Sequence, residues 1–304
     1  MIYPNRKTPS AILIAGCGDI GIRVANHWLT QGASVSALSH TPQRHRLLAG
    51  IGITVTEHDL DRPLTPSQLP TPPPDLVYYF VPPSPHGEGD LRLTHFLAAF
   101  PDNATPDKIV YISTSGVYGN HNGGWVTEQT PPCPQTARAH RRLAAEQALQ
   151  QWGSARQVDI AILRVGGIYG PGRLPLARLR RADPILRAAE APYSNRIHAD
   201  DLATVCIAAG SRQQATGIYN VCDGQPSTMS EYFLTVARMC GLPPPPQISW
   251  AEAQNLLSAE MLSYLRESRR LDITRMRNEL DITLKYPTLE KGLAAAISEE
   301  GLSP

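Results

Sequence analysis

Short runs of apolar and β-branched residues alternate with longer stretches of helical period through the first half of the chain. The runs are AILIAG (11–16), ASVSALS (33–39), ITVTEHD (53–59), LVYYFV (76–81), KIVYIST (108–114) and DIAILRV (159–165), and GIYNVCD (217–223) reads as a seventh. This strand-helix alternation predicts an α/β fold, a Rossmann-type doubly wound parallel sheet covered by helices on both faces. Proline clusters at RPLTPSQLPTPPPD, VPPSP and LPPPP mark surface connections, because proline lacks the donor that helices and sheet interiors need. Helical patterning returns in SAEMLSYLRESRRLDI (258–273) and TLEKGLAAAISEE (288–300), which suits a small lobe on the open edge of the strands. The expected division is residues 1–165 as the sheet domain, with 217–223 returning to it, and 166–304 mainly as the smaller C-terminal lobe.

Composition narrows the class. With 42% hydrophobic and 18% charged residues the chain is that of an ordinary folded protein, and a net charge of +1 offers no broad field for nucleic acid or an anionic membrane. Any phosphate recognition is therefore expected to be local. The five cysteines (17, 133, 206, 222 and 240) include no C-x-x-C pair, which argues against a disulfide framework or a metal cluster. No apolar run approaches the roughly 18 to 20 residues of a membrane span, and the first ten residues lack the apolar stretch of a signal peptide, so a cytoplasmic location is expected. The oligomeric state is left open, a homodimer being one option.

The first strand runs straight into Gly16-Cys17-Gly18-Asp19-Ile20-Gly21, and an amphipathic helix follows to about Gly32. Glycines in that context let the backbone approach a pyrophosphate at a helix N-terminus, where unpaired N–H groups and the dipole favour anions. Dinucleotide binding by Gly16, Gly18, Asp19, Ile20 and Gly21 is the expectation, with Cys17 as filler unless its thiol is exposed to oxidation. An acidic residue at the end of the second strand would take the ribose 2′-hydroxyl of NAD. Ser39, His40 and Thr41 stand there instead. His40, Arg44 and Arg46, with Arg23 as a further contributor, suit a 2′-phosphate, so NADP is preferred and NAD remains open. Asp59, after the third strand, is placed to meet the adenine.

Seven segments in order resemble the extended short-chain dehydrogenase/reductase family of NAD(P)-dependent nucleotide-sugar epimerases and dehydratases. They are AGCGDIG, YISTSGVYG (111–119), RLAAEQAL (142–149), LRVGGIYGPGR (163–173), NRIHADDLA (195–203), GIYNVCDGQPSTMSEYF (217–233) and RMRNELDI with YPTLEKGL. The resemblance implies that Thr114 is the catalytic hydroxyl, and that Tyr169 and Arg173, in YGPGR, belong to a loop closing over a small-molecule substrate. It gives His198, Asp200 and Asp201 a structural role between the lobes. It also exposes a departure. Where the family carries Tyr-x-x-x-Lys, this chain has Arg138 and Arg142. An arginine, with a pKa above about 12, cannot serve as a proton donor near neutrality. The Tyr3 to Lys7 spacing lies before the first strand and is a chance match. His140 is two helical positions from Arg138, about 200° around the axis, and faces away. Tyr118 and His121, on the loop leaving the fifth strand, are the expected substitutes beside Thr114. Arg142 is expected on the nicotinamide ribose and Arg138 against an anionic substrate. The alternative is a solvated arginine face paired through Glu146. Gly166 and Gly167 stand where the family has an asparagine. Two functions follow from this pattern: an atypical oxidoreductase of the epimerase/dehydratase type acting on a small anionic or sugar-like substrate, or an inactive dinucleotide-binding sensor.

Overall fold

The computed structural model describes residues 8–301, so the Tyr3 to Lys7 match lies outside the described residues. Seven parallel strands form one sheet. In chain order they are β1 (Ala11–Ala15), β2 (Ser34–Ser39), β3 (Thr54–Glu57), β4 (Leu76–Tyr79), β5 (Lys108–Thr114), and the strands Asp159–Val165 and Gly217–Val221. Across the sheet the order is Gly217–Val221, Asp159–Val165, β5, β4, β1, β2, β3. All seven runs read from the sequence are present, two of them at full length (108–114 and 159–165) and the other five trimmed at their ends.

The side chains of β1 alternate between two cores, which is why all five of its residues are buried. Ile12 and Ile14 pack with Val24 and Trp28 of α1 (Asp19–Thr30) and with Leu202 and Val205 of the helix Ala199–Ser211. Leu13 and Ala15 pack on the other face with Leu93 and Phe96 of α3 (Leu91–Ala98) and Leu149 of α4 (Ala137–Arg156). Between β2 and β3 runs α2 (Pro42–Gly50). A third core, with Tyr169, Phe233, Val236 and Leu293, fills the C-terminal lobe. The short strand pair Trp125–Val126 with Arg270–Leu271 ties that lobe to the sheet domain, and a second pair, Gly167–Tyr169 with Arg196–His198, lies within residues 166–304. The helical stretch expected over 258–273 is a helix only over Ala259–Leu265, because Arg270–Leu271 is taken up as a strand beside Trp125.

The strand order sets the site. From β1 the chain winds outward through β2 and β3, then crosses back to place β4 on the opposite side of β1. Loops leaving β1 and β4 therefore diverge, and the crevice between them at the carboxyl ends of the strands is where open α/β sheets hold ligands. Gly16 turns the chain there with φ +81°, and a Cβ on it would stand 2.8 Å from the backbone N of Val81. The position demands glycine on both counts.

Candidate active site

Two cavities occupy this crevice and meet at Pro82, which lines both. The smaller, about 370 Å³, is walled by Gly16, Cys17 and Gly18, by Ser39 to Thr41 at the end of β2 and Arg44 of α2, and by His58 to Asp61 after β3. A Cβ on Gly18 would stand 3.2 Å from the Arg44 guanidinium and 4.0 Å from the Gly16 carbonyl oxygen, so the near limit on that space is a flexible side chain rather than fixed backbone. Gly21 and Ile20 serve packing: a Cβ on Gly21 would stand 3.3 Å from Ile14, and Ile20 is buried. Asp61 does not add free negative charge, since Arg92 forks onto it with N–O distances of 2.6 and 2.8 Å. His40, Arg44 and Asp59 thus come together around one pocket with the glycine loop.

Two sequence expectations about this end are corrected, those for Arg23 and Arg46, while Cys17 is the filler residue expected. Arg23 turns away, to Asp19 and Asp200, and Arg46 is exposed on α2 outside the pocket lining. The Asp19 carboxylate is held between Arg23 and Arg173, each at 2.9 Å. Burial pushes its pKa up, but the two guanidinium groups outweigh that and hold it below the usual range. Cys17 is buried, and the loss of hydration pushes its thiol up to about 12 against the opposing charge of Arg44, so it is an unreactive core residue.

The larger cavity, about 440 Å³, opens beyond Pro82 and Pro83 over the end of β5. Thr114, Ser115 and Gly116 form part of its lining, and the Thr114 hydroxyl accepts from the Gly116 N–H at 3.1 Å. The α4 helix begins at the Thr136 cap and presents Arg138, Arg141 and Arg142 to the same space, while His140 lies on the outward face. Arg142 is tethered to the Ile112 carbonyl at 3.0 Å and the Tyr111 hydroxyl at 3.1 Å. Arg138 donates to the Ser263 hydroxyl at 3.0 Å, and its guanidinium lies 3.7 Å over the ring of Tyr264. The alternative of an Arg142–Glu146 pair is not realised. Glu146 turns inward to a buried ion pair with Arg164, N–O 2.7 Å, and accepts from Ser113.

Several expected site residues are elsewhere. Tyr118 is fully buried and donates to Asn220 Oδ1 at 2.7 Å, and burial raises its pKa. His121 turns its ring to the Tyr118 carbonyl, 3.1 Å, and lines neither cavity. Neither is placed to serve beside Thr114. Tyr169 is buried between His198 and Tyr232, its hydroxyl seated over Gly292, and so belongs to the lobe core. Arg173 reaches back to Asp19 at 2.9 Å and pins the YGPGR loop to the start of α1 rather than facing a cavity. Asp201 accepts from the backbone N–H groups of Lys285 and Tyr286 at 2.7 and 2.9 Å, binding the C-terminal segment to the sheet domain. Gly166 lets the segment at Asn195 approach, since a Cβ would fall 2.6 Å from the Asn195 carbonyl oxygen.

Sequence reasoning missed Tyr193, Arg196, Tyr264, Glu267 and Arg269, which complete the larger cavity from the C-terminal half. Arg269 pairs with Glu267 at 2.8 Å, and Arg196 lies 3.7 Å over the ring of Tyr232. Burial lowers the pKa of both guanidinium groups, and the Nε of each has no hydrogen-bond partner among the described residues. The RESRR run (266–270) was a basic signal in plain view, but nothing local showed that it folds over β5.

The fold and the crevice define a dinucleotide-binding α/β protein, and the comparisons agree. The chain belongs to the NAD dependent epimerase/dehydratase family, whose family model matches residues 12–222. It is 31% identical over 202 residues to the uncharacterized protein y4nG of Sinorhizobium fredii, covering 59% of this chain and half the length of that relative. Protein YeeZ of Escherichia coli K12 is 26% identical over 218 residues, 70% of this chain and 72% of that one. Among solved structures, a functionally unknown conserved protein from Silicibacter pomeroyi DSS superimposes with TM-score 0.81 at 28% identity, covering 95% and 99% of the two chains. UDP-glucuronic acid 4-epimerase of Bacillus cereus, solved with UDP-glucuronic acid and NAD, shares the fold at TM-score 0.76 and 19% identity over 95% and 98%. No helix among the described residues is long and apolar enough to cross a membrane.

Proposed function

We propose that the protein is an NADP(H)-dependent oxidoreductase of the epimerase/dehydratase type that acts on a small sugar-like or anionic substrate. One observation carries this reading: the glycine-loop pocket and the arginine-lined cavity meet at Pro82, with Thr114 in the second. A cofactor laid over Gly18 with its adenosine end at His40 and Arg44 would direct its nicotinamide toward Thr114. The absence of a carboxylate from the segment Ser39 to Arg44 and the presence of the Arg44 guanidinium beside the His40 imidazole favour the 2′-phosphate of NADP. Family membership and the NAD-bound structural neighbours support the cofactor class.

Within this reading Thr114 hydrogen-bonds the substrate oxygen, and Tyr264 supplies the phenolic hydroxyl that α4 lacks. Tyr264 lines the same cavity as Thr114 and is held by the guanidinium over its ring. Titration calorimetry tests the cofactor half: NADP⁺ should bind on the order of tenfold more tightly than NAD⁺, the gain of a charge-assisted contact to the 2′-phosphate. Replacing Arg44 with Ala should remove that preference. Tighter binding of NAD⁺ would overturn the assignment. Absorbance at the NADPH band against carbonyl and alcohol substrates tests the chemistry, with Thr114→Val and Tyr264→Phe each expected to abolish turnover while cofactor still binds. Cofactor binding without turnover on any substrate would favour the sensor reading instead.

A further inference from the structure

We propose that Arg138 and Arg142 form a clamp for a carboxylate group of the substrate, so that the substrate is a carboxylic acid whose reacting carbon adjoins that carboxylate. The inference rests on the cleft being a substrate site and names the chemical class the site takes.

The two arginines stand one turn apart on α4, so their side chains leave the same helix face, and both line the larger cavity with Thr114. Each is anchored through Nη1 to neutral acceptors, Arg138 to Ser263 Oγ and Arg142 to the Ile112 carbonyl and the Tyr111 hydroxyl. The Nε and Nη2 donors of both make no hydrogen bond among the described residues, and a fixed guanidinium with free donors is a preorganised receptor for an oxoanion.

No carboxylate among the described residues pairs with either arginine. Glu267 is engaged by Arg269, Glu146 by Arg164, and Asp90, which feels the Arg142 charge, caps α3 through the Leu93 N–H. Arg141 adds a third positive charge on the same wall. Like charges gathered in a partly enclosed space repel one another, and a bound anion relieves that repulsion.

Planar groups fit this arrangement. Both guanidiniums approach from one helix, so the donors reach the ligand from one side, which suits the two in-plane oxygens of a carboxylate better than a tetrahedral oxoanion needing donors all round. Seated there, the carboxylate projects its neighbouring carbon toward the Thr114 side of the cavity, where the proposed chemistry lies.

Oxalate is the probe, titrated calorimetrically into the full chain at constant ionic strength, with and without NADP⁺. Oxalate should bind in both cases, and Arg138→Gln should weaken it on the order of tenfold or more, as loss of a charge-assisted pair does, with Arg138→Lys recovering part of the loss. NADP⁺ affinity and the circular dichroism spectrum should stay unchanged in Arg138→Gln, which separates this site from the cofactor pocket and from misfolding. Failure of NADP⁺ to bind while oxalate still does would strike at the proposed function and leave the clamp standing. Undiminished oxalate binding by Arg138→Gln, no oxalate binding by the unmodified protein, or inorganic sulfate binding as tightly as oxalate would each overturn the proposal.

Discussion

Two glycines of one loop illustrate how different the duties of residues two positions apart can be. Gly16 is required by its own backbone, with φ +81° and Val81 N 2.8 Å from a hypothetical Cβ, so Gly16→Ala should lower stability. Gly18 has an ordinary negative φ, and the near neighbour of its hypothetical Cβ is the end of the flexible Arg44 side chain, with the Gly16 carbonyl oxygen at an ordinary contact distance of 4.0 Å. Gly18→Val is therefore expected to fold with a melting temperature close to that of the unmodified protein and yet to lose NADP(H) binding, because its methyl groups fill the space for the pyrophosphate. Calorimetric titration alongside a thermal melt checks both halves. Full-strength binding by Gly18→Val would show that the loop is only a turn.

At the scale of the element, α4 is a divider between chemistry and structure. Its cavity side carries Arg138 and Arg142, and one turn further Glu146 points into the protein, 1% exposed, against Arg164, 2% exposed. Arg164 projects from the strand Asp159–Val165 and Ser113 from β5, so this polar cluster locks the helix onto two strands. Removing one charge leaves the other buried without a counter-ion, which typically costs about 3–5 kcal/mol. Glu146→Gln should therefore show a loss of that order in urea unfolding, whereas the double change Glu146→Leu with Arg164→Met should recover most of it. A loss below about 1 kcal/mol in the single variant would mean that solvent reaches the pair and screens it.

For the molecule as a whole, the junction between sheet and lobe makes stability depend on pH. Asp223 follows the edge strand Gly217–Val221 and is buried, and burial pushes its pKa up to about 7 from an ordinary 3.8, opposed by the Gln225 N–H and the Arg196 charge. A carboxyl whose folded pKa is raised holds its proton in the folded state while the unfolded chain has already released it. Its contribution to stability is therefore greatest near the unfolded value and falls as pH rises to about 7, after which it is constant. His198, whose pKa burial lowers against the pull of Asp200 and Asp201, works with the opposite slope on the acid side. The difference between Asp223→Asn and the unmodified protein isolates the aspartate. Between pH 5 and 8 the unfolding free energy of the variant should gain on the unmodified protein by roughly 2–3 kcal/mol, at about 1.4 kcal/mol per pKa unit. A difference that stays flat over that interval would show that Asp223 is ionised throughout.

What the sequence alone determined is local or periodic. Strand runs are legible because burial on both faces and turn-forming neighbours are written into contiguous residues, and the glycine loop is legible because it joins one strand to the next helix. The phase of α4 is likewise a matter of spacing: 138 and 142 share a face, and His140 falls on another. The roles of Tyr118, His121 and Tyr169 were not legible. Whether a phenol at a strand end points into a cleft or a core depends on partners such as Asn220, 102 positions from Tyr118, and Gly292, whose lack of a side chain makes room for the Tyr169 hydroxyl. The same holds for Tyr264 and Arg269, brought over β5 by a two-residue strand pairing of Arg270–Leu271 with Trp125–Val126. Contacts between residues so far apart along the chain leave no period or spacing behind, and only the folded arrangement of the lobe on the sheet decides them.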